Sequence, residues 1–206
     1  MQKYLRFLTT YIPIVFGLWA SSAFAYEEFA TDAAPGTVVK DARDVGWQWH
    51  YIDENGDAGF MEKTAQEDGH ASYKRSDGCI WTRPDSGFAP AVEWRNCPSS
   101  GTADVSFAGD SIWPLQVGNR FAYTGTARSS LSSGARKLRR SCQVTGITGL
   151  KTVAGSFTTF KVVCKDRWTT RTWWLSSEVG TAVLYRQETF TGRTSIQEMT
   201  KVVFRP

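Results

Sequence analysis

Histidine is almost missing from this sequence: His50 and His70 are the only two in 206 residues. A serine nucleophile needs a base beside its hydroxyl and a third group to hold that base. His50 lies in an alternating run beside Trp49, His70 follows Asp68-Gly69 in a turn, and no G-x-S-x-G elbow occurs. Both histidines therefore point away from a catalytic triad. Cysteine is nearly as scarce. The four that occur include no C-x-x-C pair, and with two remote histidines no zinc-ligand spacing arises. The expected metal set is none and the expected cofactor set is none.

Long apolar runs are also lacking. The best, Phe7 to Trp19, is short and interrupted by Thr9, Thr10 and Pro13, below the ~18 apolar residues that mark a membrane helix. With Lys3 and Arg6 before it and Ala23-Phe24-Ala25 after it, the segment reads as a signal peptide over 1–25, leaving Tyr26 as the mature start. No transmembrane span is expected after cleavage. No cysteine follows the cleavage site, so a lipoprotein-type anchor is not indicated. Charge of one sign is scarce too: removing Lys3 and Arg6 takes the formal charge from +4 to +2, too small a balance to imply a nucleic-acid partner.

What is present is consistent with export and with β-structure. An even number of cysteines in an exported chain reads as two disulfides. Cys79 with Cys97 and Cys142 with Cys164 each bracket a local unit, and the other two connectivities stay open. No segment holds a helical period with caps. After a loose leader over 26–36, short alternating runs separated by turn residues extend from Thr37 onward. Trp47, Trp49 and Tyr51 share one face of such a run. Asp53 to Gly59 supplies a hairpin turn through Asn55-Gly56. The same stretch places Asp53, Asn55 and Asp57 at the first, third and fifth positions of a calcium loop. Ala58 stands where that loop needs glycine and Thr64 where it needs the bidentate glutamate, so the turn is the better reading.

Cys97-Pro98-Ser99-Ser100-Gly101 is the strongest internal boundary signal, and 97–113 is a candidate subdomain boundary within one β-domain over 37–206. Pro114 excludes Ile112 to Arg120 from a central strand. Beyond it the alternation is cleaner. Leu138, Arg140, Cys142 and Val144 share a face, as do Phe160, Val162 and Cys164. Each cysteine of that pair thus lies on the apolar side of its strand, which suits a cross-strand bridge in the core. The expected fold is all-β, an antiparallel meander forming a strongly curved sheet or barrel with two disulfides.

Candidate chemistry is sparse. Glu62, Glu93, Glu178, Glu188 and Glu198 could supply a glycosidase pair, but nothing in the sequence sets their separation. Eight tryptophans remain after signal removal, a density that suits core packing and also stacking on sugars. Trp173 and Trp174 are adjacent, so a strand points them to opposite faces and one is expected outside. That residue is the leading ligand-contact candidate. Arg136-Lys137-Leu138-Arg139-Arg140 is the one dense basic run, with Lys137 and Arg139 projecting outward. It suits an anionic lipid, lipopolysaccharide or an acidic glycan, or a charged edge that resists pairing.

Trp113-Pro114-Leu115-Gln116-Val117-Gly118, then Ala154-Gly155-Ser156-Phe157, then Trp173 to Gly180 resembles the pattern of uncharacterised exported proteins of Gram-negative bacteria, grouped as domains of unknown function. The resemblance covers about the C-terminal half. It implies a β-rich envelope protein without an assigned reaction, and the missing lipid-attachment cysteine departs from members that are lipoproteins. The combined expectation is a periplasmic or secreted, non-catalytic protein with a binding or envelope-support role, holding a small apolar ligand in a barrel cavity. The alternatives are a surface glycan or lipopolysaccharide binder using Trp173, Trp174 and Arg139, and a carboxylate-based hydrolase.

Overall fold

The computed structural model describes residues 26–38, 44–85, 88–109 and 111–204, and residues 1–25, expected to be a signal peptide, lie outside them. The described residues form thirteen strands: β1 (Glu27–Phe29), β2 (Trp47–Asp53), β3 (Ala58–Glu67), β4 (His70–Arg75), β5 (Ile80–Pro84), β6 (Glu93–Arg95), β7 (Gly101–Ala108), β8 (Arg120–Ser129), β9 (Arg136–Thr152), β10 (Gly155–Lys165), β11 (Thr169–Ser176), β12 (Thr181–Thr189) and β13 (Thr194–Phe204). From β2 to β13 each strand pairs antiparallel with the next, and β13 pairs back onto β2. The result is a closed up-and-down barrel of twelve strands, with β1 added outside the ring on β9. Closure removes the exposed edges that an open sheet of this size would present.

The turns follow their residues. In the β2–β3 hairpin Gly56 takes φ +84°, which L-residues with a Cβ rarely adopt. The Asp53 carboxylate accepts the amides of Asn55 at 2.9 Å and Asp57 at 3.0 Å. That carboxylate holds the turn.

Both disulfides have the expected pairing, Cys79–Cys97 and Cys142–Cys164. Cys142 and Cys164 are register partners on β9 and β10, and both are buried. Closing loops of 18 and 22 residues stabilises by about 3 kcal/mol each in the chain-entropy model.

The candidate boundary at 97–113 falls inside the ring, where β7 pairs with β6 and with β8. Gly101 sits there for room: a Cβ would lie 2.3 Å from the Trp94 ring and 2.2 Å from the Arg128 carbonyl. A glycine that reads as linker is the seat of an aromatic side chain.

Two apolar clusters fill the molecule. The first lies inside the barrel, where Phe121, Val144, Phe160, Val162 and Leu175 meet Val38, Phe88, Ile112 and Leu115 from non-strand segments. The second contains Leu150, Trp174 and Leu184, with Tyr26 and Phe157 packed against it. A register shift at Lys161/Val162 bends the long β9–β10 hairpin. Its tip reaches β13, where the Val153 amide donates to the buried Glu198 carboxylate at 2.6 Å. The barrel wall around β11 therefore has packing on both sides.

Candidate functional site

Alternation decides which side chains enter the barrel. Register pairs share a face, so the row Gln197, Tyr185, Trp173, Val162 runs across β13, β12, β11 and β10, and Gln187, Arg171, Cys164, Cys142 form the next row. Across the ring, Trp49 pairs with Met61, Met61 with Arg75, Tyr73 with Trp81 and Trp81 with Trp94. A twelve-stranded ring is wider than the eight-stranded barrels that side chains fill completely. The interior of this one keeps open space.

Two overlapping cavities of about 270 and 460 Å³ occupy that interior. They share walls formed by Trp49, Met61, Trp81, Phe88, Trp173 and Tyr185, joined by Arg83 and Gln197. Residues 88–91 line the larger cavity, and Val92 returns to the wall through the Thr82 carbonyl and the Ala103 amide. Phe88 stacks on Trp113 at 5.5 Å between ring centres and meets Trp173 edge-on at 5.3 Å. Trp173 also contacts Tyr185 at 5.3 Å. These rings brace one another around the space instead of filling it.

The charged members of the wall are all arginines. Arg75 pairs with Asp77. Arg83 lies over the Tyr73 ring, 4.5 Å from its centre. Arg171 donates its Nε–H to Gln187 Oε1 at 2.7 Å, and Tyr185 donates its hydroxyl to the same oxygen at 3.0 Å. Burial pushes the Arg171 guanidinium below its ordinary value and the Tyr185 phenol above its own. Among the described residues neither cavity wall contains a carboxylate.

Arg171 and Pro90 also line a third space of about 850 Å³, a basic mouth bordered by Arg136, Lys137, Arg139, Lys165 and Arg167. Its one carboxylate is Asp166, which the buried Arg140 occupies through Nε at 3.1 Å and through Nη2. Burial opposes ionisation of Asp166. The Arg140 guanidinium, the Trp168 amide and the Thr169 hydroxyl outweigh it and hold the carboxyl well below the usual range. At the tips of neighbouring hairpins Trp168 and Phe190 pack edge to face, 47% and 70% exposed.

The residues singled out from sequence separate. Trp173 points into the barrel, and Arg139 is exposed on the basic mouth. Trp174 takes the outer face as alternation requires, but it is only 1% exposed, which corrects the expectation of a solvent-facing ring. Tyr26 lies 6.1 Å from it and the Lys161 ammonium 5.0 Å above it. The leader strand β1 is tied there by a Lys161–Glu28 bridge of 2.9 Å. An outer face covered by a folded hairpin and the leader has no signature in local alternation.

None of Glu62, Glu93, Glu178, Glu188 and Glu198 lines the interior cavities. Glu198 caps the hairpin tip, while Glu93 and Glu188 pair with Arg95 and Arg186. Arg171 and Arg83 were missed, although each stands two residues from a tryptophan of the same face, Trp173 and Trp81. That spacing was the available signal.

The fold and cavity define a closed β-barrel with an aromatic interior and arginines in its wall. No protein-family model matches the chain, and no curated protein matches it. Among solved structures, the hypothetical lipoprotein YmcC from Escherichia coli K12 is similar over 75% of this chain and 83% of its own length, with a TM-score of 0.49 and 13% identity.

Proposed function

We propose that this chain is an exported, non-catalytic envelope protein that holds a small ligand with a flat apolar body inside its barrel. The observation that carries the reading is the open interior walled by Trp49, Trp81, Trp173, Phe88 and Tyr185. A concave, mostly apolar space with a few convergent polar groups is the usual form of a small-molecule site. Export is supported by the signal pattern of residues 1–25 and by two disulfides, which persist in oxidising compartments. A second reading rests on the basic mouth with Trp168 beside it, which suits an anionic surface glycan.

Titration with N-phenyl-1-naphthylamine, a neutral fused-ring probe, tests both. Saturable enhancement of probe fluorescence at one site per chain is expected. Trp173→Ala should weaken it by about tenfold, with near-ultraviolet circular dichroism otherwise retained. Absence of saturable binding overturns the interior reading. A response that survives Trp173→Ala and falls on Arg139→Ala moves the site to the mouth.

A further inference from the structure

We infer that the barrel interior selects an anion, a flat apolar ring system bearing a carboxylate, sulfonate or phosphate, and that Arg171 with Arg83 reads the charge. The inference rests on the interior-ligand reading and names the class of ligand.

The argument starts from the neutralisation of each arginine near the cavity. Arg75 has Asp77, and Arg140 has Asp166. Arg83 and Arg171 form no ion pair among the described residues, and no carboxylate lines either interior cavity. Both guanidiniums are part-exposed, and the one carboxylate acting on Arg171, Asp166, is already paired with Arg140, so an anion in the cavity would be the contacting charge partner that neither arginine has.

Arg171 is also held in a fixed pose. Gln187 accepts its Nε–H at 2.7 Å, and the Tyr185 hydroxyl anchors Gln187 from the other side at 3.0 Å. Cys164, the register partner of Arg171 on β10, is bridged to Cys142, so the neighbouring wall is stapled as well. With Nε occupied, the two Nη groups remain as a planar donor edge. Such an edge matches a carboxylate, sulfonate or phosphate in bidentate fashion.

Position adds the second half. Arg171 lines both the 460 Å³ cavity and the basic mouth, so it stands where the two spaces meet. Trp173 is two residues along the same face, and Trp49, Trp81 and Phe88 continue the wall inward. A ligand whose rings lie among the tryptophans has its charged end within reach of the arginine face. The basic mouth favours approach of the same sign of ligand.

The experiment compares two probes with the same aromatic body on the full mature chain. N-phenyl-1-naphthylamine is neutral, and 1-anilinonaphthalene-8-sulfonate adds one sulfonate. The wild type should bind the sulfonate at least about tenfold tighter. Arg171→Gln should bring the two probes within about threefold by weakening the sulfonate alone, and Arg83→Gln should narrow the gap less. The wild-type comparison needs no variant to fold, and retained neutral-probe binding certifies each variant. Equal affinities in the wild type overturn the anion inference and leave the interior-ligand reading standing. Failure of both probes overturns both. A sulfonate preference that survives Arg171→Gln and disappears in Arg139→Gln also overturns the inference, because the charge is then read outside the barrel.

Discussion

Trp173 and Trp174 are chemically identical neighbours on one strand, and they meet opposite surroundings. Trp173 faces a space that other rings brace but do not fill. Trp174 faces a second layer, made by the leader, the folded β9–β10 hairpin and Lys161, that leaves it 1% exposed. The strand alone gives them the same claim to a ligand. What sits across from each ring seals Trp174 in packing and leaves Trp173 against open space.

The largest expected effect follows from Trp174. Its ring packs with Leu150 and Leu184 and lies near Tyr26, so truncation removes buried area and leaves a hole that a paired strand and a disulfide-bearing hairpin cannot collapse around. Trp174→Ala should destabilise by about 4 kcal/mol, within the range for large-to-small changes in a packed core. Chemical denaturation of the disulfide-intact protein measures it. A loss below about 1 kcal/mol would show that the leader and hairpin do not seal this face, and the contrast with Trp173 would dissolve.

Next in size is the ion pair at the mouth. Arg140 is 7% exposed and Asp166 18% by side chain, so Asp166→Asn strands a mostly buried cation. A cost of about 2 to 3 kcal/mol is expected near neutral pH, somewhat below that of breaking a fully buried pair. The folded-state value of Asp166 lies below the ~3.9 of an unfolded aspartate. The unfolded chain therefore takes up this proton first as pH falls. The stabilisation is complete above the unfolded value and is lost as pH drops from about 5 through the folded value. Denaturation midpoints of wild type and Asp166→Asn should converge toward acid, and a gap that stays constant down to pH 2 would remove Asp166 as its source.

Those two outcomes also mark what the chain declares locally. Alternation placed Cys142 and Cys164 on inward faces, Lys137 and Arg139 outward and Arg140 inward, because period two is a property of each strand by itself. Turn residues likewise announced the β2–β3 hairpin. Closure of β13 onto β2 joins residues from opposite ends of the chain, and no local pattern encodes that pairing. The bend at Lys161/Val162 that folds the hairpin over Trp174 is a register shift, and the entry of Phe88 into the barrel depends on the ring being wide enough to admit it. The candidate site was less legible. Alternation separated Trp173 from Trp174 but favoured the outward ring, and Arg171 and Arg83 gain meaning only when the carboxylates prove to be elsewhere.

The smallest stability change expected among these substitutions is at Trp173, and it is the most discriminating for the comparison. Its ring already borders open space, so Trp173→Ala enlarges a cavity that exists instead of creating one in close packing. The ring meets Phe88 edge-on and Tyr185 at a tilt, each at 5.3 Å, and such pairs contribute about 0.5 to 1.5 kcal/mol apiece beyond area burial. Partial retention of those neighbours by their other partners keeps the expected total near about 2 kcal/mol, roughly half of that for Trp174→Ala. The two single variants measured side by side decide the issue, since both delete the same side chain from the same strand. Equal losses would mean that the interior is as tightly packed as the outer layer, and the barrel would then have no room for the proposed anionic ligand.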